Sequence, residues 1–179
     1  MSIRLLILST ILCFNCLNLC AQKTAVETSG DILQIALPAT AALSTFIYKD
    51  GTKPTWQFAK SMLVSFGATH ILKRTINRQR PNGGDYSFPS GHTSAAFTGA
   101  AFIHKRYGIE YGIPAYALAS YAGWTRVDSN KHYWTDIAGG AIVGFVSAFL
   151  FTKTYENPNL SINPVIGDDQ VLLNISVRF

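Results

Sequence analysis

WTDIAGGAIVGFVSAFLFT, residues 134–152, is the stretch on which the rest of the chain turns. From Ile137 to Phe151 it holds no charged residue, and it carries Gly139, Gly140 and Gly144, small residues that let helices approach closely in lipid. Working outward, Ile32–Tyr48, Trp56–Leu72, Thr93–His104 and Gly112–Trp124 are also helical in length and composition. Pro38 and several glycines interrupt them, which spanning helices tolerate better than soluble ones. The third and fourth are short for a bilayer, which asks for about 20 apolar residues, so a soluble all-helical core is the competing reading. The expected fold is all-α: a membrane-embedded bundle of about five helices, built from residues 22–156.

The two ends differ from this body. Residues 1–21 read as a signal peptide, with Arg4 as the positive start, Leu5–Leu19 as the apolar stretch and cleavage after Ala21. All three cysteines, Cys13, Cys16 and Cys20, lie inside it, so a cleaved protein has neither thiols nor disulfides. Residues 157–179 turn β-branched in character, and Gly167-Asp168-Asp169 between Ser161–Ile166 and Val171–Phe179 predicts a peripheral hairpin. The formal charge is +5, yet only 14% of residues are charged and 48% are hydrophobic. That balance suits membrane association better than nucleic-acid binding, for which basic residues form a broad stripe.

Charge placement then suggests an orientation. With residue 22 outside the cytoplasm and five spans threaded, Lys49 and Lys53, Lys105 and Arg106, and Lys153 all fall on the cytoplasmic side, as the positive-inside bias requires. Loops 73–92 and 125–133 fall together on the outer side. The basic run Lys73, Arg74, Arg78 and Arg80 breaks the rule there, which points to a task other than topology.

Three clusters on that side carry chemistry. Lys73 and Arg80 are seven apart and share a face if their helix runs on to Pro81, where two cations suit a multiply charged oxyanion. Pro89-Ser90-Gly91-His92 opens a helix: Ser90 is a natural N-cap, Gly91 lets backbone amides approach an anion, and His92 can move a proton. Arg126, His132 and Asp136 form the third. His132 and Asp136 are four apart, and at the start of the last helix they lie one above the other. A carboxylate on one imidazole nitrogen leaves the other free to attack. Each cluster also has a bland reading, as a solvated patch, a polar cap and a surface ion pair. His70 and His104 read as helix-end residues, while Asp85 and Tyr86 border the pocket.

Taken together, Lys73 with six residues before Arg80-Pro81, then Pro89-Ser90-Gly91-His92, then Arg126 with five before His132 and three before Asp136 resemble the type 2 phosphatidic acid phosphatase family. Thr125 departs from the serine usual before that arginine but keeps a hydroxyl. The resemblance implies a metal-independent phosphatase without a cofactor. In it His132 attacks phosphorus, Asp136 orients it, and His92 protonates the leaving alcohol and then activates water. Lys73, Arg80, Ser90, Gly91 and Arg126 hold the phosphoryl oxygens. A phosphorylated lipid and the membrane are the expected partners, at the periplasmic face of a bacterial inner membrane, and compartment favours lipid A. The alternatives are an undecaprenyl pyrophosphate phosphatase, a soluble periplasmic acid phosphatase of broad specificity, a vanadium haloperoxidase, and a non-enzymatic binding protein. Oligomeric state is not legible.

Overall fold

The computed structural model describes residues 24–155 apart from residue 49, together with the backbone of 160–166 and 171–177. Among these, five helices follow one another: α1 (Ala25–Ile47), α2 (Pro54–Ile76), α3 (Gly91–Tyr107), α4 (Ile109–Asp128) and α5 (Trp134–Phe151). The all-α bundle is the expected one. The signal segment and its cleavage after Ala21 lie outside the described residues. Most of the tail does too, including the turn of its expected hairpin. Only the backbone of two antiparallel strands, β1 (Leu160–Ile166) and β2 (Val171–Val177), is described there, and the fold class rests on the helices.

Capping chemistry sets the helix boundaries and shifts two of them, the start of α1 and the end of α2, from the apolar pattern. Thr24 accepts a hydrogen bond from the Glu27 backbone N–H (3.1 Å), so α1 begins at Ala25 and not at the apolar run. This makes residues 25–31 helical and brings Glu27, Gly30 and Asp31 into the bundle. α2 stops at Ile76 because Asn77 turns left-handed (φ 39°), a conformation asparagine tolerates. The helix therefore ends short of Arg80. α5 begins at Trp134: the Asp136 side chain accepts the backbone N–H of Tyr133 at 2.9 Å, which places His132 before the helix.

α3 is the central helix and packs on all four others. Its buried face is small over most of its length, with Ser94, Ala96, Thr98, Gly99, Ala100 and Ala101, and only toward its C-terminal end does it bury the larger Phe102 and Arg106. Facing it, a Cβ on Gly140 would meet the Ser90 carbonyl oxygen at 2.5 Å, and one on Gly144 would meet that of Ser94 at 2.5 Å. The glycines thus let α5 touch the α3 backbone, as their placement suggested. Hydroxyls join α2 to α3, with Thr98 Oγ1 donating to Ser65 Oγ (2.8 Å) and Thr69 Oγ1 to Ser94 Oγ (2.9 Å). Large apolar side chains point the other way: Ile35, Leu63, Ile113 and Leu150 are each more than 60% exposed. A core of alanine, glycine and hydroxyls inside a shell of leucine, isoleucine and phenylalanine inverts the pattern of a water-soluble bundle and suits a lipid surround. Among the described residues, α1 and α5 are long and apolar enough to cross a membrane.

Candidate active site

His132 sits in the loop after α4, which folds back so that the backbone N–H groups of Lys131 and His132 both bond the Arg126 carbonyl (2.9 and 3.2 Å). The imidazole is 4% exposed, and its Nδ1 lies 3.5 Å from Asp136 Oδ2 and 3.4 Å from Ser87 Oγ. His132 and Asp136 are therefore paired across a helix start and not stacked along a helix turn. Asp136 is wholly buried and heavily supported: the Ser87 hydroxyl donates to Oδ2, and Arg78 Nη1 donates to Oδ1 at 3.1 Å. Arg78 in turn lies over the Tyr133 ring, 4.1 Å from its centre. With Nδ1 turned toward Asp136 and Ser87, Nε2 is the nitrogen left for chemistry. Burial lowers the His132 pKa, and Lys73 and Arg80 push it the same way against the pull of Asp136, to about 4. His132, which lies outside the spans, is thus neutral at physiological pH.

Lys73 and Arg80 reach the same cavity by different routes, not along one helix face. Lys73 stands in the last turn of α2, whereas Arg80 lies in the loop beyond Asn77, which closes through Arg80 N–H to Gly84 O (2.6 Å) and Ser87 N–H to Arg78 O (2.7 Å). Backbone carbonyls aim the cations: Tyr86 O accepts from Lys73 Nζ at 2.8 Å and Asp85 O from Arg80 Nε at 3.0 Å. Asp85 and Tyr86 thus serve the site through their main chains. Burial, then the neighbouring Arg80, lower the Lys73 pKa to about 8, with Asp136 opposing.

Ser90, wholly buried, caps α3, accepting from the Thr93 hydroxyl at 3.1 Å and from the Thr93 N–H at 3.4 Å, while its own N–H donates to Asp136 O at 2.9 Å. Gly91 and His92 then line the cavity in the first turn of α3, where helix N–H groups favour an anion. Arg126 is 1% exposed and tied at each nitrogen: Nε to Thr125 Oγ1 (3.1 Å), Nη2 to Glu27 O (2.6 Å) and Nη1 to Asp31 Oδ1 (2.7 Å). His92 Nε2 meets that same Asp31 oxygen at 2.9 Å. Burial first, then Arg126, lower the His92 pKa, partly offset by Asp31.

The cavity enclosed by these groups has a volume of about 780 Å³. At its polar end are Lys73, Arg80, Gly91, His92, Arg126, Lys131 and His132, and its wall continues along α1 and α2 through Ile35, Met62 and Phe66. His70, expected as a helix-end residue, also lines it, with its ring 4.1 Å from that of Phe66. His104 stays apart, bonded to the Tyr116 hydroxyl at 3.0 Å. Sequence reasoning missed Asp31, Ser87 and Arg78 as partners of the site. Two signals pointed to Asp31: the Thr24-x-x-Glu27 capping pattern, and a lone carboxylate at the head of an apolar span. Nothing local marks Ser87.

A helical bundle with three histidines, four cations and a helix N-terminus around one cavity has the chemistry of a site for an anionic group. The family model of the PAP2 superfamily matches residues 54–159, and the chain belongs to that superfamily. It is 34% identical over 131 residues to a lipid A 1-phosphatase of Porphyromonas gingivalis, which covers 67% of this chain but only 29% of the relative. It is 27% identical over 156 residues to a lipid A 4′-phosphatase of Helicobacter pylori, covering 80% of this chain and 78% of that one. Among solved structures, the crystal structure of Aquifex aeolicus LpxE superposes with a TM-score of 0.60 at 18% identity, over 73% of this chain and 87% of the other, a likeness of fold.

Proposed function

We propose that this protein removes phosphate from a membrane lipid, with lipid A as the substrate, at the periplasmic face and through a phospho-histidine intermediate. The observation that carries the reading is the two-part cavity. Its cationic end fits a phosphoryl group, and its wall of Ile35, Met62 and Phe66 leads from that end toward the apolar exterior, where acyl chains belong. Similarity to lipid A phosphatases supports the choice of lipid.

In the first step His132 Nε2 attacks phosphorus, the P–O ester bond breaks, and His92 gives its proton to the departing oxygen. In the second, His92 takes a proton from water, the oxygen attacks phosphorus, and the N–P bond breaks to return neutral His132. Lys73, Arg80, Arg126 and the α3 amides hold the equatorial oxygens throughout, which is the larger part of the rate because phosphoryl transfer depends on positioning and charge.

The test uses purified full-length protein in detergent, offered lipid A, undecaprenyl pyrophosphate, phosphatidic acid and a water-soluble phosphomonoester. Phosphate release from lipid A ahead of the others is expected, and acid-labile, base-stable phosphate should be trapped on the protein on rapid quenching. His132→Ala should abolish both. Preference for the soluble ester would overturn the lipid assignment, and turnover surviving in His132→Ala would overturn the mechanism.

A further inference from the structure

The matched family region starts at Pro54, yet α1 reaches into the cavity ahead of it. Asp31 is the point of contact. One of its carboxylate oxygens, Oδ1, lies 2.9 Å from His92 Nε2 and 2.7 Å from Arg126 Nη1. One turn earlier the Glu27 carbonyl takes Arg126 Nη2 at 2.6 Å, and the Glu27 carboxylate pairs with Lys131. The approach is close enough to need glycine at position 30, where a Cβ would fall 1.9 Å from Thr125 Oγ1 and 2.8 Å from Arg126 Nη2. We propose that Asp31 is a positioning residue of the active site, holding His92 in one tautomer and Arg126 in one orientation through a single carboxylate oxygen.

This role rests on the phosphatase reading and repeats the logic of the His132–Asp136 pair. An N–H on Nε2 donates to Asp31, so Nδ1 is the nitrogen left to give a proton to the departing oxygen and to take one from water. The groups that share the cavity with His92 are Asp31 from α1, Lys73 and His70 from α2, Arg80 from the following loop, and Arg126, Lys131 and His132 from α4 and the loop after it, with the Glu27 carboxylate of α1 paired to Lys131. Apart from the two carboxylates and the histidines these are cations, which disfavour imidazolium; Asp31 is the carboxylate in direct contact with the ring. Removing it leaves the general acid harder to protonate.

The experiment compares full-length wild type, Asp31→Asn, Asp31→Glu and His132→Ala in detergent, on whichever of lipid A, undecaprenyl pyrophosphate, phosphatidic acid and the soluble phosphomonoester the wild type turns over fastest. Asp31→Asn should lower kcat/KM about 10- to 100-fold, a part of what general acid catalysis supplies. Its alkaline limb should move to lower pH, because the anion favouring protonated His92 is gone. Asp31→Glu should recover part of the rate and return the limb toward wild type. Wild-type kcat and an unmoved limb in Asp31→Asn would overturn the proposal, as would a variant that only melts earlier. A lower KM at unchanged kcat would also overturn it, since the carboxylate would then merely compete with phosphate for Arg126. An inactive wild type would sink the phosphatase reading itself, whereas an active wild type with indifferent Asp31 variants sinks only this inference.

Discussion

In the proposed mechanism the two histidines need opposite protonation states, although burial and neighbouring cations lower the pKa of both, and the pH dependence follows from that difference in need. His132 must be neutral to attack, and burial with Lys73 and Arg80 keeps it so above about pH 4. His92 must be protonated in the first step, and its pKa lies below the usual 6.5 because of burial and Arg126. The free enzyme therefore has kcat/KM rising through about pH 4 and falling before neutrality, an acid-side optimum that a pH–rate profile reads directly. Lys73 adds a separate expectation: as pH rises through about 8 its ammonium is lost, so inhibition by vanadate should weaken above that point. Arg78 matters through Asp136. The arginine is 39% exposed, so its loss in Arg78→Ala should cost only about 1 kcal/mol of stability, with a larger effect on kcat as the buried carboxylate loses a partner. Thermal melting and kcat together separate the two effects.

At the scale of elements, the contact between α3 and α5 carries both packing and chemistry. Gly140 lies against the Ser90 carbonyl, whose residue also donates its N–H to Asp136 O at 2.9 Å. In Gly140→Ala the new methyl meets backbone that cannot rotate away, so α5 must move. Overpacking of this kind costs about 1–3 kcal/mol. Melting temperature and activity should fall together, because Asp136 rides on the displaced helix. Gly67 on α2 is the contrast: nothing lies within 4 Å of a Cβ there, so Gly67→Ala should keep full activity and be neutral to stabilising by up to about 1 kcal/mol.

For the whole molecule, the distribution of side-chain sizes decides the setting. Small and hydroxylated residues make up most of the interior, with Leu37, Phe58, Phe102 and Ile137 among them, while Leu43, Leu63, Phe66, Ile113 and Leu150 face outward. Alkaline carbonate washing of membranes should leave the protein in the pellet, and release into the supernatant would contradict a bundle held by lipid. The cation-rich cavity lies at one end of the helices. The buried Arg106, paired with Asp50 at 3.1 Å, closes the other and ties the end of α3 to the loop between α1 and α2.

The number and character of the helices, and the candidate site residues, were legible in the chain because both are local properties. Apolar length and glycine content announce a spanning helix, and Lys73, Arg80, His92, Arg126, His132 and Asp136 stand at spacings that carry their own signal. Helix ends were less legible. A left-handed Asn77 stopped α2 before Arg80, a Thr24 cap started α1 before the apolar run, and Asp136 folded back to leave His132 outside α5. Each turns on a hydrogen bond or dihedral that composition does not weigh. The partners of Asp31 and Ser87 were decided by tertiary structure: the sequence can mark Asp31 as a lone carboxylate at the head of an apolar span, but it meets a histidine 61 residues away only once α1 has packed against α4, closely enough there to require Gly30.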